Sequence, residues 1–290
     1  MGASAVLYLT HRFSRSLAAR FERLRREAAG HADCFVLLHD DGGEVTRAWR
    51  DFLGLRGALD ALHLFTPESV RRELGVTLFD TGFLGSVHLP LLRFAHERPY
   101  AHYWQVEGDV EYRGDWGGLF AAFSQVEAPA LAAHLHRFAD WPTWHWWPTL
   151  RPPEGMQIAR RELRKAFFPV SRFSAAALRA IEAAHVAGWL GHMEVLIPTV
   201  LLREGMRVGD LREHLPCYIG DGQNPSELLL LQSTLRWRPE ISVQEFTRRG
   251  KGALIFHPVK QDWCFDGERV VTWEGAPPLP QGHRGAAPEA

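Results

Sequence analysis

Short apolar runs alternate with amphipathic segments in the first half of the chain. Ala5–Leu9 and Cys34–Leu38 are apolar throughout, which is typical of strands buried on both faces of a parallel sheet. Between them, apolar residues recur at helical spacing from Leu17 to Ala28, and Ser14 is suited to cap this helix. A strand, a helix and a second strand in this order predict a βαβ unit.

The alternation continues towards the middle of the chain. Helices are predicted over Pro67–Leu74 and Pro90–Glu97, and strands over Val76–Phe79 and Tyr103–Val106. Predicted strands and helices therefore alternate along the first half of the chain. This pattern predicts an α/β fold with a Rossmann-type, mostly parallel sheet flanked by helices.

The second half has a different pattern. Ala130–Arg137 alternates apolar residues with His134 and His136, which predicts a strand with one solvated face. Asp140–Pro153 is rich in tryptophan and proline and predicts a structured loop. A last strand is predicted over Ala253–Phe256, and the Pro-, Gly- and Ala-rich residues 275–290 predict a flexible tail.

Glu194 lies at or near the start of a helix predicted to run to Glu204. Pro198 indicates that the regular part of this helix begins near Val195, because proline is tolerated only in the first turn. The partial positive charge at a helix N-terminus is expected to lower the pKa of the Glu194 carboxyl group.

Composition excludes several classes of protein. The apolar fraction of 46% and the charged fraction of 23% are those of a folded soluble chain. A net charge of −1 does not favour a surface that binds nucleic acid. Cys34, Cys217 and Cys264 are odd in number and far apart, so neither a disulfide framework nor a cysteine zinc site is expected. The early apolar run Ala5–Leu9 is too short for a signal peptide or a transmembrane segment, and a cytoplasmic protein is expected.

The strand Tyr103–Val106 is followed at once by Glu107, Gly108 and Asp109. In open α/β sheets, ligands bind beyond the carboxyl ends of the strands, and two carboxylates there can hold a divalent metal. The glycine between them lets the backbone turn and approach a ligand closely. An acidic turn of this kind is, however, more often solvated than metal-bound. Asp40 follows the second predicted strand, where a carboxylate commonly meets a ribose or base.

The order of these features resembles that of the GT-A fold glycosyltransferases, inverting members of the nucleotide-diphospho-sugar transferase superfamily. Glu107–Asp109 stands where those enzymes carry a D-x-D motif. Gly191–Val208 is similar to their catalytic acid with its helix and the following strand, and His257 resembles a late histidine that completes the metal shell. Val6–His11 and Leu37–Asp40 also look like the branching N-acetylglucosaminyltransferases, whose relatives can dispense with metal.

The resemblance implies a transferase that moves a sugar from a nucleotide-diphosphate donor to a saccharide or other hydroxyl acceptor. Glu107, Asp109 and His257 would then be ligands of Mn²⁺ or Mg²⁺, and Glu194 would be the base. The donor-binding positions implied are Thr10, His11, Asp40 and Gly108. It also implies one GT-A-like domain over residues 1–274, with a nucleotide-binding half (1–125) and an acceptor half (126–274).

Some of these residues have simpler interpretations. Trp144 and Trp146 could pack in the core, which is the commoner role, or form a stacking platform for a sugar acceptor. The basic run Arg160–Lys165 lies on an expected helix, where it could be a solvated face or meet a diphosphate. His257 could simply end a strand, and Glu194 could be a dipole partner of its helix.

The sequence departs from the family pattern in two places. The acidic motif is Glu-Gly-Asp instead of Asp-x-Asp, and Glu194 lacks the second acid that many inverting relatives carry beside it. Two other classes stay open. One is a metal-dependent hydrolase with ligands drawn from Asp109, His102, His134 and His136. The other is a non-catalytic carbohydrate-binding protein on a transferase scaffold.

Overall fold

A seven-stranded sheet forms the centre of the molecule in the computed structural model, which describes residues 3–40, 42–79, 83, 85–214, 233–249 and 252–273. Numbered in chain order, its strands are β1 (Ser4–Thr10), β2 (Asp33–His39), β3 (Leu62–Phe65), β4 (His102–Glu107), β6 (Ala130–Arg137), β7 (Arg164–Ser174) and β8 (Val208–Asp210). The spatial order is β3-β2-β1-β4-β7-β6-β8. Strands from both predicted halves of the chain therefore lie in one sheet.

Four of the six neighbouring pairs in this sheet are parallel, and β7 runs antiparallel to both of its neighbours. The predicted βαβ unit is present, since β1 and β2 pair in parallel from Ala5↔Asp33 to Thr10↔Leu38. The predicted α/β class, with a mostly parallel sheet flanked by helices, is confirmed.

Helices cover both faces of the sheet. In chain order they are α1 (Arg15–Ala28), α2 (Glu44–Gly54), α3 (Pro67–Leu74), α4 (Leu89–Glu97), α5 (Trp116–Phe123), α6 (Ala175–Val186), α7 (Met193–Arg203) and α8 (Val243–Arg248). Apolar side chains of α1, α2 and α5 form one core cluster with the sheet, and those of α3, α4, α6 and α7 form a second. The N-cap predicted at Ser14 is confirmed, because its hydroxyl accepts from the amide of Leu17 at 3.1 Å.

The C-terminal part of the described chain forms two small sheets. β5 (Glu111–Tyr112) pairs with β9 (Ile255–Phe256), and β10 (Trp263–Phe265) pairs with β11 (Val270–Thr272). The strand predicted at 253–256 is present as β9, but it is not the last strand, because β10 and β11 follow it. Phe246, Phe256 and Trp263 form the core that holds this region together.

Three local predictions are wrong. Residues 76–79 form no strand; Val76 packs into the core instead of pairing along the sheet. Helix α7 begins at Met193, so Pro198 lies inside the helix. The helix continues although proline has no backbone N–H to donate. The basic run Arg160–Lys165 is not on a helix, because a 3₁₀ turn at Arg160–Glu162 leads directly into β7.

The predicted solvated face of β6 is also wrong. His134 and His136 are 3% and 6% exposed. The pairing of β6 with β7 shifts register twice along this stretch, and His134 takes a positive φ of 51°. Because of this irregularity, side chains along β6 no longer alternate strictly between two faces, and that alternation was the basis for predicting a solvated face.

Cys217 and the predicted tail at 275–290 lie outside the described residues. Within the described chain, no helix combines the length and the apolar composition that a bilayer crossing requires.

Candidate active site

A cavity of about 590 Å³ opens where the parallel strands β1, β2 and β4 reach their carboxyl ends. Thr10, His39 and Glu107, the last residues of these strands, all line it. This is the edge at which ligands bind in open α/β sheets. The amino-terminal part of the antiparallel strand β7 and the start of helix α7 border the same space.

Glu107, Asp109 and His257 form an acidic cluster on the cavity wall, which we call the acidic trio. One potential ligand atom from each lies within 4.8 Å of the others. Gly108 lies between the two carboxylates, and its amide donates to the carbonyl of Leu9 at 2.8 Å, which ties the turn to the end of β1. A Cβ atom at this position would lie 3.1 Å from the Leu17 side chain, so a larger residue would force the neighbouring side chains of Leu17 and Thr10 to shift.

His257 is brought to the acids by the short β5–β9 ladder. Its Nδ1 donates to the carbonyl of Arg236 at 2.5 Å, which leaves Nε2 facing Glu107 and Asp109, each at 3.3 Å. A backbone carbonyl that fixes the histidine tautomer in this way is typical of metal-ligating imidazoles. The turn is held from the other side, since the amide of Val259 donates to the carbonyl of Asp109 at 2.7 Å.

The trio carries an ion pair when no metal is bound. Burial alone would lower the pKa of His257, but the carboxylates of Asp109 and Glu107 raise it to about 10. Burial opposes ionisation of Asp109, yet His257, Lys260 and Arg12 lower its pKa to about 2. A cation arriving here would replace the imidazole proton. Two carboxylates suit Mn²⁺ and Mg²⁺, and the imidazole nitrogen favours Mn²⁺ over Mg²⁺, so the residues fit a divalent metal of the kind that the sequence implied.

Arg20, on the buried face of α1, fixes this part of the site and was missed in the sequence analysis. Its guanidinium donates to Glu111 at 3.0 Å and to the carbonyls of Gly108, Val259 and Trp263 at 3.2, 3.4 and 2.5 Å. One side chain thus joins the acidic turn to the segment that carries His257. Its position three residues after Leu17 places it on the apolar face of the helix, which is the signal that could have identified it.

Glu194 lies in the first turn of α7 and lines the same cavity. The preceding Gly191 has φ of 153° and packs so closely on Thr149 and Leu150 that a Cβ would lie 3.0 Å from their backbone. The amide of Met193 donates to the carbonyl of Gly85 at 2.8 Å, which holds the start of the helix.

The expectation that the helix N-terminus lowers the pKa of Glu194 is wrong. Burial raises it to about 7, with Lys165 lowering it and Glu107 raising it further. Desolvation therefore outweighs the helix dipole, whose effect is small beside that of removing a carboxylate from water. A carboxyl group with this pKa can exchange a proton near neutral pH.

Aromatic residues form one wall of the cavity, which we call the aromatic wall. Trp144 is 5% exposed and packs with Trp147 and Val195, whereas Trp146 is half-buried and stacks on His192 at 4.3 Å between ring centroids. Both tryptophans line the cavity, together with Phe167. The two interpretations thus separate: Trp144 is packed in the core at the cavity wall, and Trp146 presents a more open ring.

The remaining predicted positions divide into two groups. Thr10 and His11 line the cavity, next to Gly108. Asp40 does not line it; its carboxylate accepts from the amide of Gly42 at 2.8 Å and the hydroxyl of Thr46 at 2.7 Å. It thereby holds the start of α2.

The histidine set considered for a hydrolase is not assembled. Within the described chain, the acidic trio is the only group of three or more potential ligands close enough to hold a metal. His134 bonds the carbonyl of Leu235 at 2.6 Å, and neither His102 nor His136 lines the cavity.

No protein-family model matches the sequence, and no curated protein matches it. Three solved structures with partial likeness are a mannosyltransferase from Pyrobaculum calidifontis in complex with GDP-Man and Mn²⁺, a galactosyltransferase in complex with donor and acceptor sugar analogues, and a putative glucose-1-phosphate thymidylyltransferase from Bacillus anthracis in complex with sucrose. They are 12%, 10% and 10% identical, with TM-scores of 0.43, 0.41 and 0.42. The likeness covers 72%, 71% and 72% of this chain and 54%, 72% and 85% of theirs. Similarity this low carries no conclusion about what the chain does.

Proposed function

We propose that this chain is a glycosyltransferase that transfers a sugar from a nucleotide-diphosphate donor to a hydroxyl acceptor, with a divalent metal and inversion at the anomeric carbon. One observation carries the proposal. The acidic trio, the carboxyl group of Glu194 with its pKa of about 7, and the aromatic wall all line one cavity at the carboxyl edge of the sheet. It agrees with the family resemblance of the sequence motifs.

Glu107, Asp109 and His257 would hold Mn²⁺ or Mg²⁺, with Asp109 as the anchor. When bound, the metal supplies positive charge to the diphosphate leaving group. Arg12 and Lys260, both exposed and lining the cavity, would reach the same phosphate oxygens. Thr10, His11 and the backbone of Gly108 would border the nucleotide.

Glu194 would act as the general base. In its ionised form it accepts the proton of the acceptor hydroxyl as that oxygen attacks the anomeric carbon, and the nucleoside diphosphate leaves. A single displacement of this kind inverts the configuration. The aromatic wall would hold the acceptor, because the apolar face of a sugar ring packs well on an indole ring.

The first experiment is a thermal-shift screen with nucleoside diphosphates, each with and without Mn²⁺. We expect at least one nucleotide to stabilise the protein, and more so with the metal. Incubation with the matching nucleotide sugar and a panel of saccharides, followed by NMR of the product, then tests transfer and its stereochemistry. Donor consumption without any saccharide product would favour a hydrolase, and nucleotide-free binding of saccharides alone would favour a non-catalytic binding protein. Either outcome would overturn the proposal.

A further inference from the structure

Trp237 is an exposed aromatic residue at the cavity. The residue is 44% exposed, and it lines the same space as Glu194 and the acidic trio. Single exposed apolar residues are ordinary on a protein surface, so exposure alone does not indicate a site. The position of Trp237 sets it apart from the other large apolar residues that the described chain exposes. None of those lines the cavity: Leu55, Leu59, Met156, Val186 and Leu202.

The backbone next to Trp237 is held firmly. The preceding residue, Arg236, is buried, and its guanidinium donates to the carboxylate of Glu245 at 2.9 and 2.7 Å. Its carbonyl accepts from Nδ1 of His257 at 2.5 Å, and its amide donates to the carbonyl of His257 at 3.1 Å. Trp237 therefore belongs to a segment that is bonded to the acidic trio. An aromatic ring on a fixed backbone can bind a ligand with little loss of conformational entropy.

The indole ring of Trp237 has one protein group stacked on it. The guanidinium carbon of Arg238 lies 3.8 Å from the ring centroid, which is the geometry of a cation–π contact. Within the part of the chain that the structure describes, no other ring or cation contacts this indole, and its N–H group makes no hydrogen bond. Trp237 therefore retains apolar ring surface and a hydrogen-bond donor for a ligand.

The aromatic wall, by comparison, lies beside the proposed base. Trp146 is half-buried and stacks on His192 at 4.3 Å between ring centroids. Nδ1 of His192 accepts in turn from the amide of Glu194 at 3.3 Å. Trp237 belongs to a different segment and is more exposed than these residues. The cavity thus has one aromatic surface at Glu194 and a second, more exposed one beside His257.

We propose that Trp237 binds a second sugar ring, so that the acceptor is a saccharide of two or more units. The C–H groups on one face of a pyranose form an apolar surface that packs on an indole, and a sugar hydroxyl can accept from the indole N–H. One unit at the aromatic wall would present its hydroxyl to Glu194, and the next unit would lie on Trp237. This inference rests on the proposed function for the word acceptor. The saccharide site itself does not depend on transfer.

The test is binding to an array of mono-, di- and trisaccharides of the common hexoses and N-acetylhexosamines, with and without Mn²⁺ and a nucleoside diphosphate. Calorimetry then gives the Kd of each saccharide that binds. We expect the wild-type protein to bind at least one di- or trisaccharide about tenfold more tightly than its component monosaccharides, which corresponds to about 1.4 kcal/mol for the second ring. Trp237→Ala should abolish this preference, and Trp237→Phe should retain part of it. Leu202→Ala, which shortens an apolar side chain of similar exposure outside the cavity, should leave the preference unchanged.

Three results would overturn the inference. The first is that the wild-type protein binds no di- or trisaccharide more tightly than the monosaccharides, a result that needs no variant to fold. The second is an unchanged preference in Trp237→Ala with a wild-type melting temperature. The third is loss of nucleoside diphosphate binding in Trp237→Ala without loss of the saccharide preference, which would assign the ring to the nucleobase. A preference for longer saccharides in a wild-type protein that binds no nucleotide would instead contradict the proposed function alone.

Discussion

At the scale of single residues, Asp109 is the proposed anchor of the metal site. Burial opposes its ionisation, but His257, Lys260 and Arg12 lower its pKa to about 2, so its carboxylate is ionised at neutral pH. Asp109→Asn keeps the shape of the side chain and removes its charge. We expect Mn²⁺ to add nothing to the stabilisation by nucleoside diphosphate in this variant. A ligand at a hundred times its Kd contributes about 2.7 kcal/mol, so the loss is measurable in a thermal melt.

The matched control is Asp60→Asn, an exposed acid just before β3 and therefore at the opposite edge of the parallel sheet. It should keep the full response to Mn²⁺. If Asp109→Asn keeps that response as well, Asp109 is not a metal ligand.

Glu194 should set the pH dependence of transfer. Its pKa of about 7 lies above the ordinary value because of burial, so the fraction in the ionised, basic form increases as pH rises through 7. We expect kcat/KM to increase about tenfold per pH unit below 7 and to level off above it. Glu194→Gln should lower turnover by roughly 10²–10⁴ while donor binding stays intact.

Glu204→Gln, at the exposed end of the same helix, is the control and should retain both the rate and the pH profile. A Glu194→Gln variant with wild-type turnover would remove this residue from the mechanism.

The residues of the site were predictable where short motifs carry them. Glu107 and Asp109 end a clearly apolar strand, and the carboxyl end of a parallel strand is a known place for ligands. Lys165 was not predictable, because its environment depends on the irregular register of β6 and β7, which no local pattern encodes. The pKa of Glu194 could not be obtained from its helix position either, since it is set by burial among distant residues.

At the scale of elements, the tryptophan loop supplies both packing and surface. Trp144 is enclosed with Trp147 and Val195, so Trp144→Ala should cost about 3–5 kcal/mol of unfolding free energy. Trp146 is more open, and Trp146→Ala should cost less and mainly raise the KM for acceptor. Urea denaturation and steady-state kinetics separate the two effects. A large loss of stability in both variants would contradict a binding role for Trp146.

The elements themselves followed from the sequence where one local signal dominated. Ser14 and the apolar face after it predicted α1, and β1 and β2 were predicted as buried strands. Residues 76–79 were misread because an apolar run can pack into a core without pairing as a strand. The start of α7 was predicted too late because Pro198 was assigned to the first turn. Tertiary packing of this apolar helix outweighs the one hydrogen bond that the proline removes.

At the scale of the whole molecule, the site depends on two distant segments that meet on α1. The turn after β4 supplies Glu107 and Asp109, and the C-terminal region supplies His257. Arg20 bonds to both, through the carbonyls of Gly108 and Val259 and through Glu111. Such long-range convergence has no signature in sequence spacing, so the trio could be inferred only by resemblance.

Arg20→Ala should therefore weaken the fold and the metal site together. Glu111 is buried, and burial raises its pKa even with Arg20 beside it. Removing the guanidinium takes a charged donor from Glu111 and from three backbone carbonyls, while Glu111 keeps Arg23 and the amide of Phe265 as partners. Loss of hydrogen bonds to a charged group should cost at least about 1.5–3 kcal/mol in urea denaturation. Mn²⁺ should also stabilise the variant less, because the turn and the His257 segment lose their common anchor. Arg15→Ala, exposed on the same helix, should change neither quantity. A destabilised Arg20→Ala protein with a wild-type metal response would show that the trio is positioned without Arg20.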